Sequence, residues 1–237
     1  MKQAITAFVL TFGLTLPAPA QDPPDKTANL VVSAKMDVWR AGGYNDGSDG
    51  VSPAKFDFVA GKNHFITFPI VTGSWSCGAG ALYSADGTNA GADCNGPRHI
   101  VDPIGGVSGF DSTDFYGALT GLFLDDTPTT TPAPPLRFYV TNNTMGGFPT
   151  GIREFHPRLG QVFFIGDGLT GTGTGDYQRF WVPPAATHLY LGYVDAYPGP
   201  NPLPNGYSNN VGGLTVFLRL HTRIPSNPCD LPPAYGL

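Results

Sequence analysis

Residues 189–220 read L-Y-L-G-Y-V-D-A-Y-P-G-P-N-P-L-P-N-G-Y-S-N-N-V-G-G-L-T-V-F-L-R-L. Two apolar runs, 189–194 and 214–220, bracket a long loop. Both runs read as strands, which predicts that the loop joins neighbours in one sheet. Asp, Asn, Gly and Pro are ordinary turn residues. Yet Asp195, Asn209 and Asn210 also place three oxygen-bearing side chains together, in a chain with little charge to spare.

Working outward, further short apolar segments recur at 30–39, 55–59, 64–71, 136–140, 161–165 and 179–182. Several alternate apolar and polar residues, as half-buried strands do. The run Y-G-A-L-T-G-L-F-L (116–124) fits a strand or a short helix. Turn signals separate the runs: N-D-G-S-D-G (45–50), D-G-T-N-A-G (86–91), a Thr/Pro tract at 127–135 and the glycine tract from Gly166. No stretch keeps a helical period, and Glu154 is the only glutamate. The chain holds 32 Gly and 24 Pro, but also 16 Phe, 10 Tyr and 3 Trp. Those aromatics separate it from disordered sequences, so glycine and proline punctuate strands. The expected fold is all-β, an antiparallel β-sandwich or jelly roll.

The first residues, M-K-Q-A-I-T-A-F-V-L-T-F-G-L-T-L-P-A-P-A-Q, have the form of a secretory signal peptide cut after Ala20. The expected organisation is a signal at 1–20, a flexible lead-in at 21–29 and one sandwich domain at 30–224. Within the domain 120–160 is a possible insertion, and a Pro-rich tail covers 225–237. The expected location is outside the cytoplasm: secreted, periplasmic or on the cell surface. The formal net charge is −5. With no basic stripe, nucleic acid is not expected as a partner, and no segment after the signal is apolar enough to span a bilayer. Of Cys77, Cys94 and Cys229, the first two bracket one loop and are the expected disulfide.

Enzyme signatures fail. The five histidines are scattered and form no H-E-x-x-H, and there is no G-x-S-x-G elbow. One glutamate and many loop aspartates do not define a glycosidase pair, so no enzyme activity is expected. The tract G-D-G-L-T-G-T-G-T-G-D (166–176) lacks the Lys-Ser/Thr ending of a phosphate loop and reads as a tight, glycine-permitted connection. N-D-G-S-D-G has oxygen donors for a weak calcium but no downstream glutamate for an EF-hand, and otherwise reads as a plain turn.

The run R-F-W-V-P-P-A-A-T-H-L-Y-L-G-Y-V-D followed by G-Y-S-N-N-V-G resembles the C-terminal half of the PA-IL-type galactophilic lectins, calcium-dependent bacterial proteins with a small jelly-roll sandwich. The V-P-x-x-A-T-x-L-x-L-G run also resembles exported bacterial proteins of unknown role. The lectin resemblance implies Ca2+ held by side chains of Asp195, Asn209 and Asn210 and by backbone carbonyls of Gly206 and Phe58. It implies that two hydroxyls of a galactose-like saccharide complete the ion's shell. His99 and Asp102 would hold the sugar, with Asp102 where the family carries Gln, and Tyr197 or Tyr207 would flank its ring beside Asn209 and Asn210. A homo-oligomer is compatible with the pattern. The alternative is a non-enzymatic envelope or matrix protein whose calcium is purely structural.

Overall fold

The computed structural model describes residues 25–43, 48–61, 63–78, 80–87, 99–100, 102–112, 117–127, 131–138, 151–195, 204 and 206–222. The fold is all-β. Strands β1 (Lys26–Ser33), β14 (Asn210–His221), β3 (Phe65–Cys77), β12 (Arg179–Trp181) and β8 (Glu154–Phe155) form one sheet in that order. Strands β2 (Ala54–Asp57), β13 (His188–Gly192), β6 (Thr120–Leu124) and β9 (Val162–Phe164) form a second. A small sheet joins β4 (His99–Ile100), β5 (Phe110–Ser112) and β7 (Leu136–Phe138), and β10 (Leu169–Gly171) pairs with β11 (Thr174–Tyr177). Among the described residues no helix is long and apolar enough to cross a membrane.

One apolar core lies between the two larger sheets. Phe163 of β9 meets Phe180 of β12, centroids 5.7 Å apart, and Trp75 of β3 meets Tyr193 beyond β13 at 5.3 Å. Phe68, Phe123, Leu189, Leu191, Val216 and Leu218 are buried around them. Rings of this size dominate core energetics because each removes a large apolar area from water.

Several expectations change. The two runs flanking the opening loop are β13 and β14, which belong to different sheets, so the loop crosses the sandwich instead of turning within a sheet. The lead-in is shorter than expected: β1 starts at Lys26, paired with Leu220. The strand expected over 30–39 ends at Ser33. Asp37 then caps a 3-10 turn at Val38–Gly42 by accepting the Trp39 N–H at 2.9 Å, which offers the backbone an alternative to the ladder. The ambiguous run 116–124 yields β6, wholly buried between β13 and β9, so the start of the 120–160 stretch is core. The glycine tract is a connection, as expected, in the form of the β10/β11 hairpin.

The longest pairing, β14 with β3, runs from Asn210 opposite Cys77 to His221 opposite Phe65. Glycine is required where these strands press together: a Cβ on Gly212, at φ +85°, would lie 2.4 Å from the Ser74 carbonyl oxygen. This close approach fixes where β14 begins, and hence where Asn210 sits. Cys77 is disulfide-bonded. Cys94 and Cys229 lie outside the described residues, so the Cys77/Cys94 pairing stays a proposal.

Candidate functional site

Asp195 leaves the end of the second sheet and Asn210 opens β14 in the first. Asn210 is fully buried. Its Nδ2 donates to Asp195 Oδ2 at 3.0 Å and to the Ala34 carbonyl at 3.1 Å. Both nitrogen partners are acceptors, which fixes the amide orientation and leaves Asn210 Oδ1 buried with no hydrogen-bond partner among the described residues. Leaving a buried acceptor unmet costs about 1–3 kcal/mol.

Gly206, at φ +103°, turns the chain beside Asp195; a Cβ there would stand 3.4 Å from Asp195 Oδ1. The following 3-10 turn, Tyr207–Asn209, exposes Asn209 and buries Tyr207 completely. Tyr207 Oη accepts the Asp195 N–H at 3.0 Å and donates to the Tyr193 carbonyl at 3.2 Å. Tyr207 therefore ties the two ends of the loop from inside the core, and its ring is not on a surface that a sugar could stack against.

The turn is held by a residue from far away in sequence. Asp49 Oδ1 accepts the N–H groups of Gly206 (3.0 Å) and Tyr207 (2.9 Å), and Oδ2 accepts that of Ser208 (3.0 Å). Burial works against the charge, but the Ser208 hydroxyl and these three N–H groups hold the Asp49 carboxyl below its usual range. Beneath it lies fully buried Asp37, which accepts from Ser48 Oγ (2.6 Å) and Trp39 N–H. Burial pushes the Asp37 carboxyl up, against pulls from Ser48, Trp39 and Arg40. Gly50 lets the Asp49 segment slip between Asp37 and the Tyr207 ring: a Cβ there would meet Asp37 Cβ at 2.7 Å.

Of the residues singled out from the sequence, Asp195, Asn210 and Gly206 meet, with Asn209 at the exposed rim. Phe58 does not join them. Its N–H bonds the Thr187 carbonyl at the start of β13, whereas Asp195 follows the end of that strand. Eight residues of mostly extended chain separate the two ends, roughly 20–25 Å. Because β2 runs antiparallel to β13, the residue after β2 is carried away from the loop; Phe58 instead lines a cavity with Asp25, Lys26, Leu220 and Thr222. Asp102 is exposed, and the described contacts do not connect it to Asp195 or Asn210. His99 lies on β4 with its side chain outside the description, and Tyr197 is outside the described residues altogether. Sequence reasoning missed Asp37 and missed that Ser48–Gly50 and the C-terminal loop form one cluster. The signal was present in the close spacing of oxygen donors at 45–50.

As a metal site, the cluster fits in part. Among the described residues no three His, Cys, Asp or Glu side chains are gathered around one point. Calcium, however, also takes amide and carbonyl oxygens. A buried, unmet amide oxygen beside a carboxylate is suited to a hard cation. Comparison with family models, curated proteins and solved structures returned no match, so the reading of this cluster rests on its own chemistry.

Proposed function

We propose that the chain is an exported, non-enzymatic β-sandwich that binds calcium at the Asp195/Asn210 end and, through the ion, a galactose-like saccharide. The observation that carries this reading is the buried Asn210 amide oxygen, unmet among the described residues and one side chain away from the Asp195 carboxylate. Asp195 would supply the charge, Asn210 and Asn209 amide oxygens, and Gly206 a carbonyl. One carboxylate and neutral donors leave a calcium ion short of its six to eight oxygens. Two vicinal hydroxyls of a sugar would complete the shell.

Retention on immobilised galactose, with calcium and with chelator, tests this together with thermal melts. Calcium at a hundredfold excess over Kd stabilises the folded chain by about 2.7 kcal/mol. Asp195→Ala is expected to lose the part of that gain that this site supplies, and the retention with it. Calcium-independent melts of the wild type would overturn the reading. A second reading, a structural calcium without sugar, is favoured by one contact: Asp49 already orders the turn at 206–208, so the loop's role is architectural. It predicts the calcium shift without retention.

A further inference from the structure

A second pair of aspartates stands apart from that cluster and shares no residue with it. Asp86 lies in the S-A-D-G turn after Tyr83, and Asp167 in the glycine tract before β10. Asp86 is only 5% exposed. Its Oδ1 accepts the Asp167 N–H at 2.9 Å, while its Oδ2 is buried with no hydrogen-bond partner among the described residues. Asp167 turns both its oxygens on the hairpin, accepting Leu169 N–H at 2.8 Å and Gly173 N–H at 2.6 Å. Gly166, at φ +61°, makes the approach possible, since a Cβ there would fall 2.3 Å from Asp86 Oδ1.

The electrostatics lack a counter-charge. Burial and then the charge of Asp167 push the Asp86 carboxyl up to about 6, and burial also raises Asp167. The opposing pulls come from polar groups only: for Asp86 the Asp167 N–H and the nearby Thr172 hydroxyl, which forms no hydrogen bond of ordinary geometry with it, and for Asp167 backbone N–H groups. Among the described residues no lysine, arginine or histidine acts on either carboxyl. Buried carboxylates are normally paired, hydrogen-bonded or bound to metal. Here a pair of carboxyls with no cation of its own includes an unmet, buried oxygen, Asp86 Oδ2.

We propose that Asp86 and Asp167, with the Thr172 hydroxyl at the hairpin tip, hold a second hard divalent cation of the calcium class. Both carboxylates give the ion formal neutrality, and hydroxyl and carbonyl oxygens are the donors such ions accept. A proton is the competitor, so binding at this site weakens as pH falls through about 6.

Native mass spectrometry and calorimetric titration of the mature chain with calcium chloride test the proposal. Two ions per wild-type chain are expected, one in Asp86→Asn and one in Asp195→Ala. The Asp86→Asn side chain keeps an Oδ1 acceptor for the Asp167 N–H, so the turn is preserved. Thr172→Val, at an exposed position, serves as a second variant and is expected to weaken one of the two ions at least tenfold. A wild type that binds one ion, lost in Asp195→Ala and kept in Asp86→Asn, overturns this inference and leaves the proposed function standing. One ion, lost in Asp86→Asn and kept in Asp195→Ala, supports this inference and rejects the Asp195 site. No ion in any protein, with Asp86 only protonated, overturns both.

Discussion

Asp49 and Asp86 are alike in sequence: each precedes a glycine in a short polar turn. The structure gives them opposite chemistry. Asp49 collects three backbone N–H groups from the C-terminal loop and stays charged. Asp86 collects one, is buried against a like charge, and keeps a proton up to about pH 6. The difference lies in the number of donors that each carboxylate meets, and those donors come from remote segments. The first aspartate holds a loop together, whereas the second leaves its pair short of a counter-charge.

The largest effect is expected from breaking the satisfied member. Asp49→Ala removes three hydrogen bonds to a charged acceptor, two of them at exposed positions, and is expected to cost about 4 kcal/mol. Urea unfolding would show a lower midpoint, and Asp49→Asn an intermediate one. A midpoint shift below a quarter of that would mean the turn at 206–208 holds without Asp49.

The unsatisfied member carries the opposite sign, and a histidine at the far end of β14 gives its counterweight. Asp86 has a folded-state pKa above the ordinary 3.8, so its contribution is complete below 3.8 and is lost as pH rises through about 6. Buried His221 stacks on Phe65 at 4.4 Å and bonds Thr67 through Nε2 at 3.0 Å. Burial lowers its pKa to about 4, although Asp25 pulls it up. Its contribution is complete above 6.5 and is lost as pH falls through about 4. Each shift corresponds to about 3 kcal/mol at full extent. Between pH 4 and 6 His221 offsets the Asp86 slope, while Asp37 and Asp167, also raised by burial, add to it, so in chelator the wild type is expected to lose some stability as pH rises there. Relative to the wild type, Asp86→Asn should gain stability at pH 7 and tilt the profile towards loss in acid. His221→Gln should tilt it the opposite way. Parallel profiles in all three proteins would refute the assignment.

The smallest stability effect belongs to the rim. In chelator, Asn209→Ala, at an exposed position, is expected to shift stability by less than about 0.5 kcal/mol. It is nonetheless expected to abolish galactose retention. A variant that is retained like the wild type would remove Asn209 from the proposed saccharide contacts, and a wild type that is not retained would favour the purely structural reading.

Much of the frame was legible. The apolar run at 64–71 named β3, whose first residues are buried on both faces, and the alternation at 214–220 named β14, where burial of one strand face imposes a period of two on the sequence. The chemistry of the opening loop was legible in part: Asp195 and Asn210 do meet. Phe58 was placed wrongly because a carbonyl ligand leaves no mark in its side chain, and only the antiparallel pairing of β2 with β13 says which end it occupies. The lectin resemblance puts Tyr197 or Tyr207 beside a sugar ring, whereas Tyr207 is buried, because a tyrosine in a polar loop gives no sign of which way its ring turns.

By itself, the sequence determined the class of fold, the positions of most long strands and the residue types around the C-terminal loop. Those follow from local rules: side-chain alternation, turn propensity and the scarcity of helix formers. Only the tertiary structure decided that the loop crosses between sheets, that Asp49 caps it, and that Asp86 meets Asp167. These are contacts between segments distant in the chain, set by strand order and by close approaches at Gly50, Gly166 and Gly212. An aspartate's charge state depends on the donors and charges that packing brings to it, and no local pattern records them.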